Sequence, residues 1–307
     1  MLRGSLLAAA LFVLLGSGST AGHVRNGRIA YAHVGDGRGF QIYSMTAAGR
    51  HRRPLTAGHR YSSYDPAYAP RGKRIAFVRA DKTSTDIWIM NADGTHKRAL
   101  TRTAMGAEID PAWSPDGKWI AFAVTDPPAQ HGIWLLRADG TGARVRVTTG
   151  DDATPTWSPD GTEIAFQRYD TATQIDQILV VPAGGGPTTT LSNDPGVSDL
   201  QPAWSPNGSK ILFVSDRPDA VQLDLWVMNA DGSNVRRVTN TPARDERDPA
   251  WSPDGLRIVY SGNGAFHGAS SSQLYVSNPN GSNRRKLTHA CGECAWINDW
   301  PSWQPRR

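Results

Sequence analysis

The chain has 307 residues, of which 39% are hydrophobic and 20% are charged, so it is long and apolar enough to form a globular protein with a sizeable core. Its 31 glycines, 21 prolines and 11 tryptophans, against 5 methionines, are typical of a β-rich protein with many tight turns and exclude a helical bundle. The net charge of +5 is small for this length and does not favour nucleic acid as a partner.

The first 21 residues have the pattern of a secretory signal peptide. A single cation, Arg3, precedes an apolar run over residues 6–15, and small residues follow, as a cleavage site requires. The run is too short to span a bilayer, which takes about 20 apolar residues, and no later run is longer. We therefore expect residues 1–21 to be removed on export. Residues 22–307 are then expected to form one periplasmic or extracellular domain without an integral membrane segment.

A motif of the form Trp-Ser-Pro-Asp-Gly recurs at intervals of 44–47 residues. Its copies begin at four tryptophans and at a tyrosine that opens a degenerate copy: Trp113, Trp157, Trp204, Trp251 and Tyr68. A β-type run follows each copy, as at residues 75–77, and then a second run, as at 87–90. A turn with glycine and a short run ending in Leu-Thr or a similar pair complete the unit. The sequence thus predicts four antiparallel strands in each repeat.

Four strands in about 45 residues, repeated in tandem, are typical of the blades of a β-propeller. The repeat region starts with the last three strands of a unit and ends with a Trp strand alone, which contains Trp300 and Trp303. These two fragments complement each other. The sequence therefore predicts an all-β, six-bladed propeller of four-stranded antiparallel blades, with the ring closed by the C-terminal strand pairing into the N-terminal blade.

The succession Trp-Ser-Pro-Asp-Gly, Ile-Ala-Phe, Met-Asn-Ala-Asp-Gly and Leu-Thr resembles the WD40-like (PD40) repeat of TolB-type propellers. The resemblance covers residues 27–305 and implies the propeller fold. Because one fold hosts many functions, the function has to be argued from particular residues.

Carboxylates cluster in the strands that lead into the motif copies, which we expect to line a central channel. They stand five and three residues before the aromatic anchors, at Glu108, Asp152, Asp199 and Glu246 and at Asp65, Asp110 and Asp248. Residues two apart share a face of a strand, so the two sets are expected to form acidic rings at one mouth of the channel. Clustered carboxylates favour a Ca²⁺-type ion, a cationic ligand or a peptide with Lys or Arg. The alternative is that the Asp-Pro positions are turn residues that accept backbone N–H bonds.

Cys291 and Cys294 are the two cysteines of the chain. In an exported protein, such a close pair favours a local disulfide. A zinc site would lack its second pair of ligands, and a thioredoxin-like motif would lack its βαβ context.

Catalytic motifs are scarce, since the chain has no G-x-S-x-G, H-E-x-x-H or P-loop sequence and its histidines have no metal-ligand spacing. We interpret the sequence as that of an exported, monomeric, non-enzymatic binding protein with a protein or peptide partner, without nucleic acid, and with Ca²⁺ in the channel as the cofactor to consider. The alternative is a secreted carbohydrate-binding protein or carbohydrate-active enzyme that uses the channel-mouth carboxylates. The Trp anchors are expected to pack in the core or between blades, with sugar stacking as their alternative role.

Overall fold

The computed structural model describes residues 25–34, 39–58, 60–103, 106–217, 222–241, 244–266, 269–289 and 297–306. The predicted signal peptide at 1–21 and the pair Cys291 and Cys294 lie outside these residues. Within the described part, no helix combines the length and the apolar character needed to cross a membrane.

The described residues form 24 strands and one short 3-10 helix, Pro128–Gln130. Strands β1 to β3 are Arg25–Val34, Gln41–Thr46 and Arg53–Pro54. Strands β4 to β7 are Ser62–Tyr68, Arg74–Ala80, Ser84–Asn91 and Arg98–Ala99, and β8 to β11 are Gly106–Trp113, Trp119–Asp126, Gly132–Arg137 and Val145–Arg146. Strands β12 to β15 are Asp151–Trp157, Glu163–Asp170, Ile175–Pro182 and Thr189–Thr190, and β16 to β19 are Asp199–Trp204, Lys210–Ser215, Asp224–Asn229 and Arg236–Arg237. Strands β20 to β24 are Asp245–Trp251, Ile258–Phe266, Ala269–Ser277, Arg285–Lys286 and Ile297–Arg306.

The strands form the four-stranded antiparallel blades of a β-propeller, as the repeat predicts. Four blades are separate sheets, with the strand orders β24-β1-β2-β3, β12-β13-β14-β15, β16-β17-β18-β19 and β20-β21-β22-β23. The other eight strands, β4 to β11, form one sheet. The prediction of six separate blades therefore differs from the structure. The physical reason is a short parallel pairing of β6 with β8, at Ser84 with Gly106 and Thr85 with Ala107, which joins two four-stranded units.

The C-terminal strand pairs with the N-terminal blade, as predicted. Strand β24 runs antiparallel to β1, with Trp303 opposite Ile29 and Ser302 opposite Ala30. Trp303 is 6% exposed and packs in a cluster with Ile29 and with Val259 of the preceding blade. The strand also contacts the following unit, because the hydroxyl of Ser302 accepts a hydrogen bond of 3.0 Å from the backbone N–H of Tyr68.

The core consists of apolar clusters inside and between neighbouring blades. In five units, the second strand contributes one fully buried aromatic side chain at an equivalent position: Phe77, Phe122, Phe166, Phe213 and Tyr260. The Trp anchors join adjacent units, since the indole Nε1 of Trp113 donates to the carbonyl oxygen of Ala67 (3.1 Å), and Trp157 donates in the same way to Ala112 (3.2 Å). These two tryptophans thus pack between blades, as expected.

The Ser-Pro-Asp-Gly turns recur because the motif satisfies its own polar groups. In the turn after β8, Asp116 Oδ1 accepts from the hydroxyl of Ser114 (2.7 Å) and from the backbone N–H of Lys118 (2.9 Å). Gly117 has a positive φ of 72°, which a residue with a side chain adopts at a cost. The turns at Asp160, Asn207 and Asp254 repeat these bonds.

Candidate functional site

One residue in the left-handed backbone region occurs in each strand that leads into an aromatic anchor, three positions before the anchor. We call these strands the innermost strands; they are β4, β8, β12, β16, β20 and β24. These residues have φ between 46° and 54° and are Asp65, Asp110, Thr154, Gln201, Asp248 and Trp300. A proline follows each of them. The register of the innermost strand shifts at the same place, for example between Tyr64 and Ala67, which is the signature of a β-bulge. The bulges place all six residues around one central cavity of about 340 Å³.

The polar residues of this cavity form hydrogen bonds from one innermost strand to the next. Asp110 Oδ2 accepts from the backbone N–H of Thr154 (2.9 Å), and Gln201 Oε1 accepts from the backbone N–H of Asp248 (2.8 Å). Asp248 in turn accepts from the backbone N–H of Trp300 (3.4 Å) and from the side-chain amide of Gln201 (2.7 Å). These side chains therefore satisfy left-handed backbone N–H groups, as the turn-residue alternative expects, and do so between neighbouring units.

The cavity carboxylates nevertheless remain electrostatically unfavourable. Burial raises the pKa of Asp65 well above its ordinary value, and the charges of Asp110 and Asp248 raise it further. Asp65 Oδ1 is buried and receives no hydrogen bond from the described residues. Burial also raises the pKa of Asp110, against the opposing effect of the Thr154 N–H. Nearby Asp299 has a pKa raised to about 7, first by burial and then by the charge of Asp248.

None of the residues that line the cavity is Lys, Arg or His within the described part of the chain. Outside this lining, the positive charge of Arg247 lowers the pKa of Asp248 and of Asp299 and so offsets part of the effect of burial. In that same part of the chain, no three His, Cys, Asp or Glu side chains are grouped closely enough to hold a metal ion.

The other predicted set of carboxylates lies away from the cavity. Glu108, Asp152, Asp199 and Glu246 are each 1% exposed. Each forms an ion pair with an arginine: Glu108 with Arg144, Asp152 with Arg168 at 2.6 Å, Asp199 with Arg217 at 3.1 Å, and Glu246 with Arg284 at 3.4 Å. The expectation of two acidic rings at one mouth is thus not what the structure shows. The bulge interrupts the two-residue alternation of the strand, so positions five and three before the anchor do not share a face.

Substitution of Asp152 tests the structural role of this buried set. Its oxygens accept two hydrogen bonds from the guanidinium of Arg168, at 2.6 and 2.8 Å. Asp152→Ala leaves the half-buried cation without its partner, and we expect the free energy of unfolding to fall by about 3 kcal/mol. Urea denaturation measures this change. The control Glu163→Gln, in an adjacent strand and without an ion pair in the described structure, should change stability by less than about 0.5 kcal/mol. A loss for Asp152→Ala as small as that of the control would contradict the structural role.

Trp300 forms an aromatic side of the cavity. It was expected to close the ring and stands three residues before Trp303, at the position equivalent to that of Asp65 in the strands expected to line the channel. Its ring lies 5.2 Å from that of Phe40 and 5.5 Å from that of Tyr64 between centroids. Asp299 does not stand at either of the carboxylate positions of the repeat, so the sequence did not identify it. Its raised pKa depends on the placement of β24 beside β20, which contains Asp248.

The model of the TolB beta propeller domain matches residues 23–175 and 135–306. A comparison of the sequence with curated proteins finds no match. Among solved structures, TolB from Acinetobacter baumannii is similar with a TM-score of 0.74 and 22% identity, over 91% of this chain and 66% of that one. A chain of the nidogen/laminin complex is similar with a TM-score of 0.68 and 10% identity, over 90% of this chain and 98% of that one.

An oligogalacturonate lyase in complex with manganese is also similar, with a TM-score of 0.53 and 16% identity, over 87% of this chain and 75% of that one. At these identities, the likeness to solved structures shows the fold alone. The family match extends over both halves of the repeat region and includes the unit in which β24 pairs with β1. The chain therefore belongs to the TolB β-propeller domain family.

Proposed function

We propose that this protein is an exported, non-enzymatic binding platform that holds a cationic segment of a protein or peptide in the central cavity. The observation that carries the proposal is the placement of Asp65, Asp110 and Asp248 around one cavity that has no cation in its described lining. A Lys or Arg side chain would relieve the repulsion among these carboxylates and supply a donor to Asp65 Oδ1, which receives none.

The architecture that supports such a platform is a ring of six units, in which the eight-stranded sheet counts as two blades. Only two residue pairs join β6 to β8, whereas each half of that sheet has its own set of four antiparallel strands. Strands β4 and β8 each contribute a bulged carboxylate to the cavity, as the innermost strand of a separate blade would. We propose that β24 closes this ring, that residues 1–21 direct export to the periplasm or cell exterior, and that the protein acts as a monomer.

A calorimetric titration with a short peptide that contains three lysines tests the platform. The variant Asp65→Asn, Asp110→Asn, Asp248→Asn removes the charges and keeps side-chain oxygens that accept the backbone N–H bonds. We expect the wild-type protein to bind saturably and this variant to bind at least about tenfold more weakly. The matched control replaces three exposed turn carboxylates, Asp93, Asp139 and Asp231, by Asn and should bind like the wild type. Absence of saturable binding, or equal affinities of both variants, would overturn the proposal.

A carbohydrate ligand is the second candidate. Trp204, Trp251 and Trp300 line the same cavity beside the carboxylates, and flat aromatic rings next to acidic groups suit the stacking and hydrogen bonding of a sugar. The similar fold of the oligogalacturonate lyase adds an acidic sugar to the substrates worth testing. Incubation with oligogalacturonates and neutral oligosaccharides, followed by mass spectrometry, should leave them intact if the binding platform is right. Turnover that disappears in the triple Asn variant would favour the carbohydrate-active alternative.

A further inference from the structure

A second cavity, of about 590 Å³, lies between the turn that follows β4 and the turn that follows β8. We call it the basic cleft, and its lining includes Arg71, Lys73, Arg74, Trp113, Asp116 and Lys118. We propose that the basic cleft binds an acidic peptide segment of a partner protein. This inference is independent of the function proposed for the central cavity, which takes a ligand of the opposite charge.

The cleft owes its charge to the degenerate copy of the repeat motif. The turn at residues 158–163 reads Ser-Pro-Asp-Gly-Thr-Glu, whereas the turn at 69–74 reads Ala-Pro-Arg-Gly-Lys-Arg. Three cations thus stand where another copy has two carboxylates. The backbone of the turn is unchanged, since Gly72 has a φ of 64° and its N–H bonds to the carbonyl of Ala69 at 2.7 Å, as Gly161 bonds to Ser158. The fold of the turn therefore does not require these cations.

The cations of this turn have no partner within the described structure. Arg71, Lys73 and Arg74 are exposed, and none of their side chains forms a hydrogen bond or an ion pair with a described residue. The one carboxylate of the cleft, Asp116, already accepts from Ser114 and from the backbone of Lys118, and it pairs with the Lys118 ammonium at 3.3 Å. Four cations against one carboxylate leave a local charge of +3, and a ligand with several negative charges would be attracted to it.

The remaining surface of the cleft is apolar, which distinguishes a peptide from a simple anion. Pro70, Pro115 and Trp113 form part of its lining. The indole N–H of Trp113 is already bonded to Ala67, so Trp113 offers the cleft apolar ring surface and no free donor. A cationic rim beside proline and tryptophan suits a segment in which acidic and apolar side chains alternate, because both kinds of side chain then find a complementary surface.

Fluorescence anisotropy with a labelled octapeptide of alternating Glu and Leu tests the proposal on the intact protein. The variant Arg71→Asp, Lys73→Thr, Arg74→Glu copies the turn at 160–163, so it should fold. We expect its affinity for the peptide to be at least about tenfold weaker than that of the wild type, and wild-type binding to weaken with added salt. If the triple variant does not fold, the single variant Arg71→Asp replaces it, with a smaller loss expected.

The matched control changes three exposed cations elsewhere by the same net charge, through Lys82→Thr, Arg102→Asp and Arg236→Glu. It should bind within about twofold of the wild type, and so should the triple Asn variant of the central cavity. The proposal is overturned if the wild type shows no saturable binding or if the control loses as much affinity as the cleft variant. Tighter binding of inorganic polyphosphate than of the peptide, lost in the cleft variant, would also overturn it in favour of a phosphate ligand.

Discussion

Deletion of residues 300–307 is expected to lower the free energy of unfolding by more than about 5 kcal/mol, which is enough to unfold many domains. The deletion removes Trp303 from the cluster between the first and last blades and removes most of the partner strand of β1. It also removes the hydroxyl of Ser302, which accepts from the Tyr68 N–H, and the amide of Gln304, which donates to the Gly72 carbonyl (2.7 Å). The part of β1 from Arg25 to Ala30 would become an unpaired edge.

Point substitutions separate the packing of Trp303 from the pairing of the strand. Trp303→Ala should cost about 3–5 kcal/mol, because a large buried side chain is replaced by a cavity, and Trp303→Phe should cost clearly less. Thermal unfolding and urea denaturation of the truncated and substituted proteins measure these losses. An unchanged melting temperature of the truncated protein would show that β24 does not stabilise the first blade and would remove the support for a closed ring.

Asp299→Asn is expected to stabilise the protein at pH 8 by about 2–4 kcal/mol and to have little effect at pH 4. The pKa of Asp299 in the folded protein is raised to about 7, against an ordinary value of 3.8. Between these two values, the folded state keeps a proton that the unfolded state loses. Stability from this group therefore falls as the pH rises from about 4 to 7, and the penalty is complete above pH 7. The pKa of Glu246 is also raised to about 7, so this group likewise lowers the stability of the folded protein as the pH rises.

Urea denaturation of the wild type and of Asp299→Asn at several pH values between 4 and 8 measures this effect. The amide oxygen can still accept from the hydroxyl of Ser272, which donates to Asp299 Oδ1 in the structure. The variant should therefore show a flatter dependence of stability on pH than the wild type. Equal changes in stability at pH 4 and pH 8 would contradict the raised pKa and would indicate a purely steric effect of the substitution.

The sequence is sufficient to predict the blades because the interactions that specify each blade are local. The turn at Ser114 and Asp116 satisfies its own polar groups, and Gly117 permits the positive φ that the turn needs. Alternating apolar runs on either side of such turns specify antiparallel strands. The pairing of Trp303 with the first blade was also predictable, because the fragment at each end of the repeat region contains what the other one lacks.

Tertiary structure alone decided which charges face which surface. Asp65 and Asp110, in the left-handed region, interrupt the alternation of side chains along their strands. Residues two positions apart therefore no longer lie on the same face of the strand. The partner of Asp152, Arg168, comes from a neighbouring strand and could not be inferred from the spacing of carboxylates. The pairing of β6 with β8 likewise depends on how two units approach each other. Sequence determined the repeating unit through local hydrogen bonds and periodicity, whereas bulges and contacts between units, which are non-local, determined the cavity and its charge.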